Sequence, residues 1–283
     1  MTSGFLSEVS QTATRIGAEP KWLKEGREPQ FTVTEKDPAA CNPLEPDMIL
    51  LHGLFGAMSN WEGVFPLFSE YSNPMALSFP LLTAHRSEVQ VKALAVYTEY
   101  FIRSRNLQPV TLCGNSMGGH VALRLCLALP ELVDCLILSG TSGLYEHSVD
   151  SLPIRPDKAF VREHMGRVFK NPKFITDESI DEIHAILSSK ANTLNLIYAA
   201  RSAKKDNLQD VLKDIKVPTL LLWGEEDEVT TPDIAEMFHR YIPNSELKFV
   251  AGCGHAPMIE RPDWFSEQVH KFLKEHSRFY KRP

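Results

Sequence analysis

The sequence predicts an α/β fold in which a mostly parallel central sheet is flanked by helices and interrupted by an inserted helical cap. From Asp47 onward, short continuously apolar runs alternate with longer amphipathic runs, which is typical of parallel strands covered on both faces. This alternation stops between about Gly143 and Asp214 and then resumes. The chain has 283 residues, of which 43% are hydrophobic, and is therefore long enough for a sizeable core.

The predicted elements follow one another in chain order. We interpret apolar runs that end at a turn as buried strands, and runs with apolar residues at helical spacing as helices. The predicted strands are 48–53, 75–79, 110–114, 133–138, 217–223 and 245–250, and the predicted helices are 89–103, 117–129, 233–241 and 262–274. Before Asp47, residues 21–23 and 30–34 are interpreted as an antiparallel pair around Gly26.

The stretch that interrupts the strand–helix alternation has only helical patterning, with breakers at Pro153, Pro156 and Pro172. A stretch without a buried strand cannot extend the sheet, so we interpret it as an insertion. The sequence therefore predicts a core formed by residues 1–142 and 215–283 and a helical cap formed by residues 143–214.

Composition and charge exclude several classes of protein. The net charge of −6 leaves no basic surplus to neutralise phosphates, which argues against a nucleic-acid partner. No apolar run approaches the ~18 residues of a membrane helix, and the first residues do not resemble a secretory signal. Five cysteines without a C-x-x-C pair fit a reducing compartment. We expect a cytoplasmic protein that binds neither nucleic acid nor membrane; its oligomeric state stays open.

The strongest chemical signal is Gly-Asn-Ser-Met-Gly-Gly at residues 114–119, which fits the pattern G-x-S-x-G. A predicted strand precedes it and a predicted helix follows it, as this motif requires. Ser116 would then lie on a sharp turn, where side chains at Gly114 or Gly118 would collide with neighbouring backbone. The alternative is a glycine-rich turn with an incidental serine, and the strand–turn–helix context disfavours it. Ser116 is therefore the candidate nucleophile.

A serine hydroxyl is a weak nucleophile that needs a base, and the base needs an acid to orient it. His255 lies in the loop after the last predicted strand, and Asp227 follows the strand before it. Both residues leave the carboxyl ends of strands, where open α/β sheets bind ligands. The chain order Ser116, Asp227, His255 is the nucleophile–acid–base order of this motif.

Further residues compete for these two roles. We interpret His120, in the helix behind Ser116, as a packing or surface residue, and His52, before a turn, as a partner of nearby backbone. Asp227 is preferred as the acid because a short carboxylate suits a tight turn. The acidic neighbours of Asp227 that could replace it in this role are Glu225, Glu226 and Glu228.

The turn after the first buried strand could supply electrostatic stabilisation. Acyl transfer builds negative charge on the former carbonyl oxygen, and preorganised backbone N–H groups must meet it. The expected pair is the Leu54 N–H, in the His52-Gly53-Leu54 turn, and the Met117 N–H, directly after Ser116. The alternative is an ordinary turn at the end of a strand.

Together these motifs resemble the α/β-hydrolase superfamily over about residues 47–272. The motifs that carry the resemblance occur in the family's order: His52-Gly53, Gly114-Asn-Ser-Met-Gly-Gly119, Trp223-Gly-x-x-Asp227 and Gly252-Cys-Gly-His255. The resemblance implies an α/β-hydrolase fold, neither a metal nor an organic cofactor, and a small-molecule substrate that binds beneath the cap.

The resemblance also implies the role of each site residue. Ser116 would be the nucleophile, His255 the general base and then acid, and Asp227 its partner. Leu54 and Met117 would form the oxyanion hole. Ser116 stands where the dehalogenase and epoxide-hydrolase branches carry an aspartate, which argues against those activities.

We expect a carboxylic-ester hydrolase that acts on a small to medium apolar ester through an acyl-enzyme. The motif at 114–119 is also similar to that of hydrolases that cleave a carbon–carbon bond in ring-fission products. Those enzymes usually carry Trp after the histidine, where this chain has Ala256, and residues 177–189 lack a basic side chain to hold an acidic substrate. Thioester hydrolysis, a lyase reaction and a ligand receptor on a hydrolase fold also stay open.

Apolar residues of the predicted cap suggest an apolar pocket, although each of them could instead pack the cap against the core. They are Phe160, Met165, Phe169, Phe174, Ile183, Ile186, Leu187 and Leu196.

Overall fold

A computed structural model of the chain describes residues 3–55, 58–107, 109–145 and 156–281. Seven strands form one sheet within these ranges. They are β1 (Thr32–Glu35), β2 (Asp47–Leu51), β3 (Asn73–Ser78), β4 (Val110–Asn115), β5 (Val133–Ser139), β6 (Thr219–Gly224) and β7 (Ser245–Val250). Their spatial order is β1-β3-β2-β4-β5-β6-β7.

The α-helices of the described residues flank this sheet or lie between β5 and β6. They are α1 (Ser3–Ile16), α2 (Lys21–Lys24), α3 (Phe65–Phe68), α4 (Val91–Ser104), α5 (Met117–Ala128), α6 (Lys158–Val168), α7 (Asp177–Ser188), α8 (Lys190–Lys205), α9 (Pro232–Tyr241), α10 (Pro257–Glu260) and α11 (Pro262–His276).

The predicted α/β architecture is confirmed. Strands β2 to β7 pair in parallel, and only β1 runs antiparallel, against β3. Alternate residues of each inner strand enter separate apolar clusters: Ile49 and Leu51 join one, and Met48 and Leu50 join the other. Burying such a side chain contributes about 1.5–3 kcal/mol. The continuously apolar strands are therefore explained by a sheet that is covered on both faces.

Parallel pairing also gathers the loops that matter for function. Because β2, β4, β6 and β7 run in the same direction, the loops that follow them leave the sheet at one edge. Ligand sites of open α/β sheets lie at this carboxyl edge.

The antiparallel pair expected at residues 21–23 and 30–34 is wrong. Residues 21–24 form α2 instead, and the strand that follows, β1, pairs with β3 and forms the edge of the sheet. Trp22 explains the helix, because its ring packs edge-on against Tyr100 at 5.4 Å and its backbone N–H donates to Glu88 Oε1 at 2.9 Å. Packing against distant residues outweighed the local pattern.

The stretch between β5 and β6 forms α6, α7 and α8, and its described residues include no strand. Residues 146–155, including Pro153, lie outside the described part of the chain. The two ends of the stretch lie side by side, because the Leu208 N–H donates to Gly143 O at 2.8 Å. Nε and Nη2 of Arg124, on α5, donate to the carboxylate of Asp206 at 2.5 and 2.6 Å. The division into core and cap stays a prediction, and we refer to residues 156–214 as the cap segment.

None of the helices within the described residues combines the length and the apolar character needed to cross a lipid bilayer.

Candidate active site

Ser116 lies at the junction between β4 and α5. Its backbone has φ 54° and ψ −121°, a left-handed conformation that a serine adopts only under strain. The Ser116 N–H donates to Ser139 O at 3.0 Å, and Ser116 O accepts the N–H groups of His120 and Ser142 at 3.2 Å. Backbone hydrogen bonds thus hold the strained turn, and the start of α5 favours negative charge beside Ser116.

The glycines around Ser116 are required by crowding, as the motif predicts. A Cβ atom at Gly114 would lie 2.5 Å from the Gly119 nitrogen, and one at Gly118 would collide with the carbonyl of Leu51. Neither neighbour can yield, because both are backbone atoms. The close approach of α5 to β2 and β4 therefore depends on these glycines.

His255 and Asp227 form a buried pair. His255 Nδ1 lies 2.8 Å from Asp227 Oδ2, and the side chains of both residues are less than a tenth exposed. Asp227 Oδ1 accepts the N–H groups of Val229 and Thr230 at 2.8 and 3.0 Å, and Oδ2 accepts the Thr230 hydroxyl at 3.1 Å. With so many donors around it, Asp227 acts as the acceptor. His255 therefore carries its proton on Nδ1, which leaves Nε2 free to take a proton.

The backbone brings His255 next to the Ser116 turn. The side-chain amide of Asn115 donates to His255 O at 3.2 Å and to Ser139 O at 3.0 Å. Gly140, with φ 50°, follows β5, and a Cβ there would lie 2.7 Å from His255 Nδ1. Within the described part of the chain, the Ser116 hydroxyl makes no hydrogen bond. Catalytic hydrogen bonds often tighten only when substrate binds.

Two backbone N–H groups lie beside this turn with no protein acceptor. Over the residues that the structure describes, neither the Leu54 N–H nor the Met117 N–H donates a hydrogen bond. Leu54 follows Gly53, where a Cβ would lie 3.0 Å from Ser116 Cβ, and Met117 directly follows Ser116. Both N–H groups are therefore unpaired within the described residues, and their role as an oxyanion hole stays a prediction.

His52 holds the turn before Leu54. Its Nδ1 lies 2.7 Å from Gly53 O, and the Phe79 N–H donates to its Nε2 at 2.8 Å. One ring nitrogen donates while the other accepts, so the imidazole is neutral. Burial lowers the pKa of His52 to about 4. The structure agrees with the interpretation of His52 as a partner of nearby backbone.

The competing residues have different partners. Glu226 directs its carboxylate to the N–H groups of Gly252 and Cys253 at 3.2 and 3.0 Å. Glu225 and Glu228 are exposed. His120 is fully buried: Nδ1 lies 3.3 Å from Ser142 Oγ, and Nε2 lies 3.2 Å from a carboxylate oxygen of Asp206. The interpretation of His120 as a packing residue holds, whereas a surface position is wrong.

The groups that accept the N–H groups of the His255 loop are not apparent from the sequence. Besides Glu226, they are the carboxylate of Glu260, which accepts the Gly254 N–H at 2.7 Å, and Val168 O, which accepts the His255 N–H at 2.7 Å. The sequence suggests Glu226 only as a substitute for the acid. The spacing of Glu260, five residues after His255, was the available signal, but spacing alone does not reveal where a carboxylate points.

The apolar residues of the cap segment mostly pack inward. Met165, Leu187 and Leu196 are buried in the main apolar cluster, and Phe169, Ile183 and Ile186 pack against it. Phe174 contacts Phe169 at a ring distance of 5.7 Å, and Phe160 stacks on His164 at 4.8 Å. For most of these residues, packing of the cap segment against the core is the better explanation.

Across the described ranges, the one group of side chains close enough to share a metal ion is Glu246, Glu275 and His276. These residues lie on β7 and α11, apart from Ser116, and His276 Nε2 already contacts Glu246 Oε1 at 2.8 Å.

Comparison with known proteins identifies the class. The model of the alpha/beta hydrolase family matches residues 48–268 of the chain. A solved alpha/beta hydrolase enzyme from the metagenome of sediments of the lagoon of Mar Chica, Morocco, is 30% identical, with a TM-score of 0.70; the match covers 88% of this chain and 97% of that one. The protein is an enzyme of the hydrolase class. It belongs to the alpha/beta hydrolase family.

Two curated relatives differ in the bond they cleave. The chain is 27% identical over 241 residues to the 2-hydroxy-6-oxo-6-(2'-aminophenyl)hexa-2,4-dienoic acid hydrolase of Metapseudomonas resinovorans, covering 80% of this chain and 83% of the relative. It is 26% identical over 235 residues to the pimeloyl-[acyl-carrier protein] methyl ester esterase of Nitrosomonas europaea, covering 78% of this chain and 92% of the relative. The family thus includes an esterase and a dienoic acid hydrolase at similar distance.

Proposed function

We propose that this protein is a serine carboxylesterase that hydrolyses small to medium apolar esters through an acyl-enzyme. The observation that carries the proposal is the 2.8 Å hydrogen bond between His255 Nδ1 and Asp227 Oδ2, next to the strained turn of Ser116. The bond leaves Nε2 of His255 unprotonated, and an unprotonated imidazole is what a serine nucleophile needs.

The reaction has two stages. Ser116 Oγ attacks the ester carbonyl while His255 Nε2 takes the hydroxyl proton, and the Leu54 and Met117 N–H groups bind the resulting oxyanion. The bond to the alkoxide breaks as His255 returns the proton, which releases the alcohol. Water then attacks the acyl-enzyme in the same way and regenerates Ser116. Asp227 keeps its hydrogen bond to Nδ1 and stabilises the imidazolium of each stage.

Carbon–carbon bond hydrolysis is the second candidate, and the relative from Metapseudomonas resinovorans supports it. Two features of this chain favour the ester instead. The residue after His255 is Ala256, which is buried, where such enzymes usually carry Trp. Helix α7 carries no Lys or Arg to hold an acidic substrate. The esterase relative from Nitrosomonas europaea supports ester hydrolysis.

The test is hydrolysis of p-nitrophenyl esters from acetyl to dodecanoyl by the wild type, Ser116→Ala and Ser139→Ala. We expect turnover that peaks at short to medium acyl chains and falls at least about 10³-fold in Ser116→Ala. Ser139→Ala is the matched control on the adjacent strand. Its hydroxyl is buried without a hydrogen-bond partner in the described residues, so wild-type turnover is expected.

Near-wild-type turnover in Ser116→Ala would contradict the proposal. Absence of Ser116-dependent turnover on every ester would also contradict it, and would favour carbon–carbon cleavage, assayed as the loss of absorbance of a 2-hydroxy-6-oxodienoate. A melting temperature raised by a ligand that is not consumed would favour a receptor.

A further inference from the structure

The loop that ends at His255 has an unusual support. Its four consecutive N–H groups, at residues 252–255, are each accepted by a group outside the loop. Gly252 and Cys253 donate to the carboxylate of Glu226, and Gly254 donates to Glu260 Oε1. The fourth, of His255 itself, donates to the Val168 carbonyl.

The carboxylate of Glu260 accepts backbone N–H groups on two opposite sides, and the Cys253 thiol lies 3.8 Å from Oε1. While Oε1 accepts the Gly254 N–H at 2.7 Å, Oε2 accepts the N–H of Asn171 at 2.7 Å. Asn171 lies just beyond the end of α6, in the cap segment, and Gly254 belongs to the core. One carboxylate therefore bridges the core and the cap segment directly beside His255.

The bridge is buried and has no cation. Glu260 is 3% exposed, and none of the ion pairs of the described residues involves it. A buried carboxylate without a cation depends on the N–H groups aimed at it, because losing one leaves an oxygen without compensation. The Asn171 N–H is therefore a required partner of Glu260, and the cap segment cannot move away without weakening the bridge.

The cap segment also approaches the loop closely. Val168 O lies 2.7 Å from the His255 nitrogen, and a Cβ at Gly254 would lie 2.5 Å from the same oxygen. Residues 168–171 thus lie along the backbone of the histidine loop, and we call them the support strip. The strip contacts the loop through backbone atoms, so its effect does not depend on the side chains that line a substrate pocket.

We infer that Glu260 and the support strip position the imidazole of His255, so that the cap segment supports the general base as well as covering the site. The inference rests on the proposed role of His255 in catalysis. Glu260 is a positioning residue, because it touches the loop of the base and not the reacting atoms. When the bridge is intact, His255 Nδ1 stays on Asp227, which leaves Nε2 unprotonated and able to accept the Ser116 proton.

The sharpest test removes one N–H from the bridge. Asn171→Pro deletes the N–H that binds Glu260, and the backbone at this position, with φ −90° and ψ 114°, is close to what proline adopts. Asn171→Ala is the matched control, because it keeps the backbone N–H and removes the side-chain amide, whose oxygen accepts the Lys173 N–H at 3.1 Å. Glu260→Gln is the companion variant. Its one side-chain oxygen can accept one of the two N–H groups, and its NH2 group would face the other.

Turnover is measured with the p-nitrophenyl ester that the wild type hydrolyses fastest. Asn171→Pro and Glu260→Gln are expected to lower kcat by about 10- to 100-fold with KM changed less than about threefold, because a displaced base slows chemistry more than binding. Asn171→Ala is expected to keep the wild-type kcat. A residue that only stabilised the fold would lower the melting temperature and leave the kcat of the folded fraction unchanged.

A second readout is independent of any substrate. In proton NMR, the Nδ1–H of His255 hydrogen-bonded to Asp227 should give a downfield resonance, identified by its loss in His255→Gln. We expect this resonance to shift or broaden in Asn171→Pro and Glu260→Gln and to match the wild type in Asn171→Ala.

The two readouts separate this inference from the proposed function. If the wild type shows no Ser116-dependent turnover, the proposed function fails while the NMR comparison still decides whether Glu260 positions His255. An unchanged resonance in both Asn171→Pro and Glu260→Gln would overturn the inference. So would an equal loss of kcat in Asn171→Ala, because that loss would assign the effect to the Asn171 side chain.

Discussion

The turn of Ser116 and the loop of His255 reach the same edge of the sheet, but different interactions hold them there. The Ser116 turn is held by backbone hydrogen bonds to Ser139 and Ser142 and by the close contact of Gly118 with β2. The His255 loop is held by two carboxylates, Glu226 and Glu260, together with a carbonyl of the cap segment.

Because of this difference, different kinds of substitution should disturb the two parts of the site. The Ser116 turn is held mainly by packed backbone, to which the Thr141 hydroxyl adds one hydrogen bond to Ser116 O at 3.2 Å. Adding atoms to this turn should therefore disturb it more than removing a side chain. A loop held by carboxylates can be loosened by removing single acceptors, and it follows the element that provides them. We therefore expect the candidate nucleophile to be insensitive to the cap segment and the candidate base to depend on it.

The largest expected effect lies at the candidate acid. In Asp227→Asn, the amide oxygen can still accept the N–H groups of Val229 and Thr230, while its NH2 group faces His255 Nδ1. The imidazole then carries its proton on Nε2, where it cannot accept one from Ser116. We expect kcat to fall about 10³- to 10⁴-fold with the fold retained.

The control for this change is Glu228→Gln, which removes an exposed neighbouring charge and should keep the wild-type kcat. Steady-state kinetics on a p-nitrophenyl ester measure both variants. A loss of less than about tenfold in Asp227→Asn would remove Asp227 from the candidate triad.

In the Ser116 turn, Gly118→Ala should lower the free energy of unfolding the most. The added methyl group would collide with the carbonyl groups of Leu51 and His52, so the helix and the strand must separate. We expect a loss of about 3 kcal/mol or more in the free energy of unfolding, measured by urea denaturation.

Gly166→Ala is the matched substitution in the cap segment. No atom lies within 4 Å of a Cβ added at Gly166, inside α6, so we expect a gain of about 0.5–1 kcal/mol from the lower entropy of the unfolded chain. If the free energy of unfolding of Gly118→Ala lies within about 1 kcal/mol of the wild-type value, crowding does not hold the Ser116 turn.

The stability of the protein should depend on pH through His52, which holds the turn that carries Leu54. Burial lowers the pKa of His52 to about 4 in the folded protein, whereas a histidine in the unfolded chain titrates near pH 6.5. The unfolded state therefore binds the extra proton between these values. The stabilisation from His52, on the order of 3 kcal/mol, is complete above pH 6.5 and is lost as the pH falls towards 4.

Urea denaturation from pH 7 to 4 measures this loss, and His52→Gln should make the free energy of unfolding fall less steeply over the same range. An NMR titration of the His52 ring gives the direct check. A midpoint near 6.5 in the folded protein would show that His52 is not held neutral by its two hydrogen bonds.

The smallest expected effect is at Glu226, on the other side of the histidine loop from Glu260. Glu226→Gln leaves one acceptor for the two N–H groups of Gly252 and Cys253. Because Glu226 is only half-buried, water can replace the lost bond. We expect kcat to fall about three- to tenfold.

Glu225→Gln is the matched control for Glu226→Gln, since the neighbouring carboxylate is exposed, and it should behave as wild type. A larger loss of kcat in Glu226→Gln than in Glu260→Gln would reverse the comparison. The loop after β6, which carries Glu226, and not the cap segment, would then be the main support of the histidine.

The sequence predicted the core elements well because each of them is a local pattern. The apolar runs at β2, β4 and β5 and the spacing of α5 are recognised over a few residues, and burial on both faces of the sheet enforces them. The N-terminal region was misjudged because its apolar side chains pack with α4, a distant segment, in a separate cluster. There, α2 forms where Trp22 meets Tyr100, and β1 forms because β3 offers a free edge.

In the candidate site too, local features could be predicted and contacts between distant segments could not. The family, the Ser116 turn and the chain order of Ser116, Asp227 and His255 could be predicted, because each is a short motif beside a strand end. The catalytic roles of these residues stay predictions. The partners of the histidine loop could not be found in this way. The sequence context of His120 also left a surface position open, although the residue is fully buried.

The sequence by itself determined the turn of Ser116, because crowding among adjacent glycines and strand ends is decided within a few residues. Only the tertiary structure decided what holds His255. Its supports come from separate segments, and the bridge from Glu260 to Asn171 spans 89 residues. A carboxylate can accept N–H groups from any segment that approaches it, so its partners are known only once the cap segment has packed against the core.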